Sequence, residues 1–177
     1  MRIKRTRGLL VVAAAGMLTL GIPGPASAAD TAATVTVTGG ALSITAPANA
    51  GNIGTVANSV LGSTISGHLG QVQVNDARAA AAGSGWVATV ISTAFTPPAG
   101  PTIGAADVGY TAGPITQVGT ATYTADNPRD LTGVVAAVTA TGITGDNSAT
   151  WDPTINVTVA GGMAAGVYSG TITQSVS

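Results

Sequence analysis

The chain has 177 residues, with six Lys and Arg against seven Asp and Glu, one histidine and no cysteine. The missing cysteines exclude a disulfide scaffold and a lipoprotein anchor. Few cations lie beyond residue 7, which excludes the basic footprint that nucleic-acid binding requires and disfavours adhesion to an anionic membrane surface.

Residues 1–28 read as a secretory signal. "MRIKRTR" is basic, "GLLVVAAAGMLTLGI" is a short apolar run, and Ala26-Ser27-Ala28 is a small-x-small cleavage pattern. The apolar run is short for a membrane span of roughly 20 residues, so cleavage after Ala28 and export are expected. Residues 29–177 then keep Arg78 and Arg129 against seven Asp, a net charge of −5, with no Lys and no Glu. The hydrophobic content of 45% is too high for a disordered chain and supplies one core. The C-terminal "GTITQSVS" shows neither a hydrophobic tail nor a sortase-type motif, so no covalent anchor is expected.

Nearly every later segment reads as strand, because Val and Thr suit a pleated, half-buried surface. "TVTVTGGALSIT" (34–45) predicts a hairpin turning at Gly39-Gly40 and stopped by Pro47. "HLGQVQVND" (68–76) predicts a strand with Val72 and Val74 on one face. "DARAAAA" (76–82) allows a helical turn or two capped by Asp76. Further strands are expected within 85–93, 113–125, 132–143, 154–160 and 166–176, separated by the loop "PPAGP" and the turn "DNPRD". The Ala content of 132–143 leaves a helix open there. Strands recurring every ten or so residues between Gly, Pro and Asn predict an all-β fold. The expected form is one antiparallel β-sandwich over 29–177, of immunoglobulin-like or Greek-key type.

Catalytic chemistry is poorly supplied. His68 is the only histidine, and neither a Gly-x-Ser-x-Gly elbow nor a Ser-x-x-Lys motif occurs. A zinc site needs more ligands than one histidine offers. Asp126, Asn127 and Asp130 are close enough in sequence for calcium, but their spacing is not that of an EF-hand, and a proline turn explains them better. No catalytic residue, metal or cofactor is therefore expected. If the strand through Val72 and Val74 continues, Asp76 and Arg78 point inward, and a buried Asp needs a partner. Arg78 or the backbone N–H groups of the next loop would serve, making a polar staple. Trp86 fits either a sandwich core or an exposed carbohydrate platform. Trp151, before a turn, is expected to be the more exposed tryptophan.

The order of motifs resembles the WxL domain family of Gram-positive cell-surface proteins. Gly40-Ala41-Leu42 with Pro47, then Asp76, Arg78, Gly85 and Trp86, then Ala165-Gly166-Val167-Tyr168 follow the family pattern from about Thr34 to Val176. The first Trp-x-Leu stands here as Trp86-Val87-Ala88, and the second as Gln174-Ser175-Val176. The resemblance implies a secreted β-sandwich associated without covalent linkage with peptidoglycan or another wall polysaccharide, often beside partner surface proteins. Five Arg against one Lys suits a GC-rich, actinobacterial genome. A ligand site would draw on Trp86, Asp76 and Arg78, with Trp151 and Tyr168 as lesser contributors. Two other classes stand beside this one. The chain would be a structural or adhesive subunit joined by strand edges that no Lys guards, or a hydrolase using His68 or an Asp pair.

Overall fold

β-Branched residues at alternate positions commit most of the chain to extended backbone, and pairing those strands decides the rest. The structure is a computed structural model that describes residues 32–177; the signal segment lies outside the described residues. The strands are β1 (Leu42–Thr45), β2 (Ser63–His68), β3 (Val72–Ser92), β4 (Val108–Thr111), β5 (Thr116–Ala125), β6 (Val135–Trp151), β7 (Thr154–Val159) and β8 (Ile172–Val176). One 3-10 turn, Ala105–Asp107, precedes β4.

Two antiparallel sheets pack as a sandwich within a unit spanning Val37–Ser177. The larger sheet runs β1-β3-β6-β5, with β8 also paired to β3; the smaller runs β2-β7-β4. β3 is 21 residues long and β6 is 17. β6 accompanies β3 along most of its length, while β1 and β8 share its other side, near opposite ends. Val72 and Val74 from β3, Val138 and Ala140 from β6, and Ile155 and Val157 from β7 fill the space between the sheets. Each fully buried Val or Ile contributes about 1.5–3 kcal/mol. Alternation along "TINVTV" places Ile155 and Val157 inward, as the sequence predicts.

Three local expectations are corrected. The hairpin at Gly39-Gly40 does not form: residues 32–41 carry no strand, and β1 pairs with β3 instead, Leu42 opposite Asp76 and Thr45 opposite Gln73. The two glycines serve close approach rather than a turn. A side chain on Gly39 would collide with the Arg78 carbonyl, and the Gly40 N–H donates to the Ala77 carbonyl. The helical turn at 76–82 is absent, because β3 runs straight through it as a bulged strand. From Asp76 to Ala80 to Ser84 it advances four residues per step, while β6 moves from Asn147 to Gly145 to Ile143. Ala79 (φ 52°) and Gly83 (φ 89°) take the left-handed backbone that lets the extra residues bulge out. The strands expected at 68–76 and 85–93 are therefore parts of one strand, and that expected at 132–143 extends to Trp151 as β6. That expected at 166–176 is confined to Ile172–Val176 as β8, because residues 166–171 have no ladder to join beyond one bridge at Ser169. The third correction is Trp151, expected near the surface and in fact 2% exposed.

Candidate functional site

β3, β5 and β6 bring one polar cluster together under the bulge. Asp76 lies fully buried on the inward face that Val72 and Val74 begin, but Arg78, expected on the same face, is exposed, because the strand bulges after Asp76 and breaks the alternation. Its Oδ1 accepts from Arg78 Nε at 2.8 Å and from the Arg78 backbone N–H at 3.1 Å. Its Oδ2 accepts from Arg78 Nη2 at 2.9 Å and from Asn147 Nδ2 at 3.2 Å. This two-point, charge-assisted contact holds the Asp76 carboxyl below the usual carboxylate range, against the opposing effect of burial. Arg78 Nη2 also donates to the Gly85 carbonyl at 3.1 Å, closing the neck of the 79–84 excursion. Ala79 N–H donates to Asp146 Oδ1 at 2.9 Å on the neighbouring strand.

Asn147 carries the network onward. Its Oδ1 accepts from Trp86 Nε1 at 3.1 Å and from the Tyr123 hydroxyl at 3.2 Å. The Trp86 and Tyr123 rings lie 5.7 Å apart, tilted by 52°. Burial, and secondarily the Asp76 charge, raises the Tyr123 phenol above its ordinary pKa. Among the described residues no buried side-chain N or O atom lacks a partner. Four donors already occupy the Asp76 carboxylate, so chemically the cluster is a satisfied staple. Trp86 is 2% exposed and offers no open ring face. Asn147 and Tyr123 escaped the sequence reading. The inward alternation Asn147, Ala149, Trp151 would have marked the first, and the half-buried place of Tyr123 between exposed threonines the second.

The remaining candidates lie elsewhere. Trp151 Nε1 donates to the Tyr110 hydroxyl at 2.7 Å, which donates to Gln174 Oε1 at 3.0 Å. Burial raises the Tyr110 phenol well above its ordinary pKa. Tyr168 lies half-buried outside the strands, donating to the Ala164 carbonyl at 2.8 Å. His68, at the end of β2, meets Asp152 at 3.3 Å, both exposed. The "DNPRD" loop is occupied by its own turn. Asn127 accepts from Ala112 N–H, Asp126 from the Thr139 hydroxyl, and Asp130 from Thr132 N–H and Oγ1. Among the described residues no group of three or more His, Cys, Asp or Glu side chains is placed to hold a metal.

One surface has a regular chemical pattern. On β5, Ala121, Tyr123 and Ala125 turn inward while Thr120, Thr122 and Thr124 stay exposed. Across the ladder, Thr116 faces Thr150, Thr120 faces Thr144, Thr122 faces Thr141 and Thr124 faces Thr139. Farther along the same sheet, Gln73 lies beside Thr45 and Thr150, and Asn75 beside Ser43 and Ser148. The face is thus largely hydroxyl and amide, with the exposed Val118 opposite Ser148 and the Asp126 carboxylate bonded to Thr139. Among the described residues the hydroxyls of Thr120, Thr122, Thr124, Thr141 and Thr144 have no protein partner.

Comparison of the chain with family models, with curated proteins and with solved structures finds no match.

Proposed function

We propose that this is a secreted, non-catalytic surface protein that associates without covalent linkage with cell-wall polysaccharide, peptidoglycan being the partner. The observation that carries this reading is the threonine ladder of β5 and β6. Strands about 4.8 Å apart, with same-face residues about 7 Å apart along each, make a twisted array of hydroxyl donors and acceptors, interrupted by the register shifts on either side of Thr120. A glycan presents the same groups in return, and direct or water-bridged hydrogen bonds join such surfaces. The motif order shared with WxL domains supports the same partner. Within this reading Asp76, Arg78 and Trp86 hold the sheet in shape, and the wall is met by the threonines outside it.

The test is pelleting with isolated peptidoglycan, wild type beside a Thr122→Val, Thr141→Val double variant. Both positions are exposed and paired with each other, and valine keeps the shape and β-branching of threonine while removing the hydroxyl, so the fold, checked by circular dichroism, should survive. Losing two or three hydrogen bonds of about 0.5–1.5 kcal/mol each should weaken retention about tenfold or more. Undiminished pelleting of the double variant, or none by the wild type, would sink the reading.

A further inference from the structure

A groove opens along one side of the sandwich, between β8 of the larger sheet and β2 and β7 of the smaller. Its volume is about 920 Å³; Ile65, Phe95, Val157, Val159, Tyr168 and Ile172 give it an apolar floor, and the strandless segment 46–59 of the same chain lines it as well. No charged side chain lines it. In the sheet, β8 pairs only with β3 among the described residues, so its other edge presents unpaired backbone N–H and C=O groups.

The chain also contains a strand-like segment with no strand to join. Thr34–Thr38, "TVTVT", alternates strictly, yet adopts no strand, and Val35 and Val37 are 89% and 83% exposed. Residues 31–41 carry no charge. The segment equals β8 in length, five residues each, and extended it is about 17 Å long with both valines on one face.

We propose that Thr34–Thr38 of one copy of this chain adds to the β8 edge of a second copy, with Val35 and Val37 seated in the groove. Main-chain hydrogen bonds to β8 supply affinity, and the two valines reading the apolar floor supply register. The occupant is a second copy because donor and groove match in three ways: both are uncharged, both are five residues long at the contact, and each exposes what the other lacks. Donor and acceptor are different surfaces, so the contact is heterologous, and repeated from copy to copy it builds an open chain of subunits. This inference goes beyond the wall reading and does not depend on it.

Analytical ultracentrifugation of the chain purified from an expressing Gram-positive host tests it. The wild type should form concentration-dependent oligomers. A Val35→Asp, Val37→Asp variant, altered only at exposed positions, should stay monomeric where the wild type is half assembled. A synthetic peptide of residues 31–41 should dissolve the wild-type oligomers and slow hydrogen exchange at β8 amides of the variant at least tenfold. A wild type that stays monomeric, oligomers that survive the double substitution, or β8 amides indifferent to the peptide would each overturn it. Peptidoglycan pelleting by the same variant should be unchanged, which keeps failure of this contact distinct from failure of wall binding.

Discussion

Asp76 shows how one side chain can organise a charge-poor chain. It is fully buried, and its partners come from β3 itself and from β6. Asp76→Ala leaves Asn147 Nδ2 without its acceptor and Arg78 without its counter-ion, so stability should fall by about 2–4 kcal/mol, read as a lower urea midpoint. The pH dependence follows from the lowered carboxyl pKa. A carboxyl more acidic in the folded state than in the unfolded one stabilises the fold above the unfolded pKa of about 3.9, and that contribution is lost as pH falls through the folded value. Urea midpoints should therefore decline below about pH 4, and Asp76→Asn should flatten that decline. Tyr110 and Tyr123 act in the opposite sense. Their phenols are raised by burial, so their contribution is present below about pH 10 and lost as pH rises further. Trp86→Phe keeps most of the ring volume but frees Asn147 Oδ1 from one donor; a cost of about 1–3 kcal/mol is expected, with wall retention unchanged. The burial of Asp76 was legible because Val74 and Val72 set the inward parity two and four residues earlier, whereas the same parity misplaced Arg78, which is exposed and reaches back to the carboxylate. The burial of Trp151 was not, because Asp152-Pro153 signals a turn and says nothing of Tyr110, 41 residues away, which receives the indole.

At the scale of elements, pairing overrides local preference. An alanine run with an Asp before it favours helix in isolation, yet β6 supplies a ladder on both sides of the run and Arg78 closes its neck. Single-strand composition shows neither the partner nor the closure, which is why the bulge of β3 could not be read ahead. The same holds for Gly39-Gly40. A glycine pair between alternating segments is a hairpin signal, and only the neighbouring Ala77–Arg78 backbone reveals that it serves close approach. The antiparallel all-β class was legible, since every strand carries alternation or β-branching of its own. Gly119 offers a test of the bulged register between β5 and β6, whose extra residues lie in β6. It takes φ +88°, and an added Cβ would stand 2.5 Å from the Asp146 carbonyl. Gly119→Ala should cost more than about 1 kcal/mol and should speed amide exchange along β5 ahead of β3. Unchanged exchange in β5 would mean that the bulge is not what fixes its register against β6.

For the whole molecule, the outcome is a division between interior and exterior that the residue types alone did not reveal. The residues that looked most like a ligand site, Asp76 and Trp86, turn inward and are fully engaged with one another's partners. The threonines of β5 and β6, whose hydroxyls suit a polysaccharide or a partner's edge strand, stand opposite one another on the outer face. The sequence allows Trp86 either a core place or an exposed platform, whereas which threonines stand opposite one another follows only once the register of two strands is known. The measurement that separates these surfaces is an NMR titration of the chain with soluble peptidoglycan fragments, following threonine methyls and the tryptophan indoles together. The account expects saturable shifts at Thr120, Thr122, Thr124, Thr141 and Thr144, with the Trp86 indole unmoved. Shifts centred on Trp86 and the 79–84 excursion, with the threonine methyls silent, would contradict it.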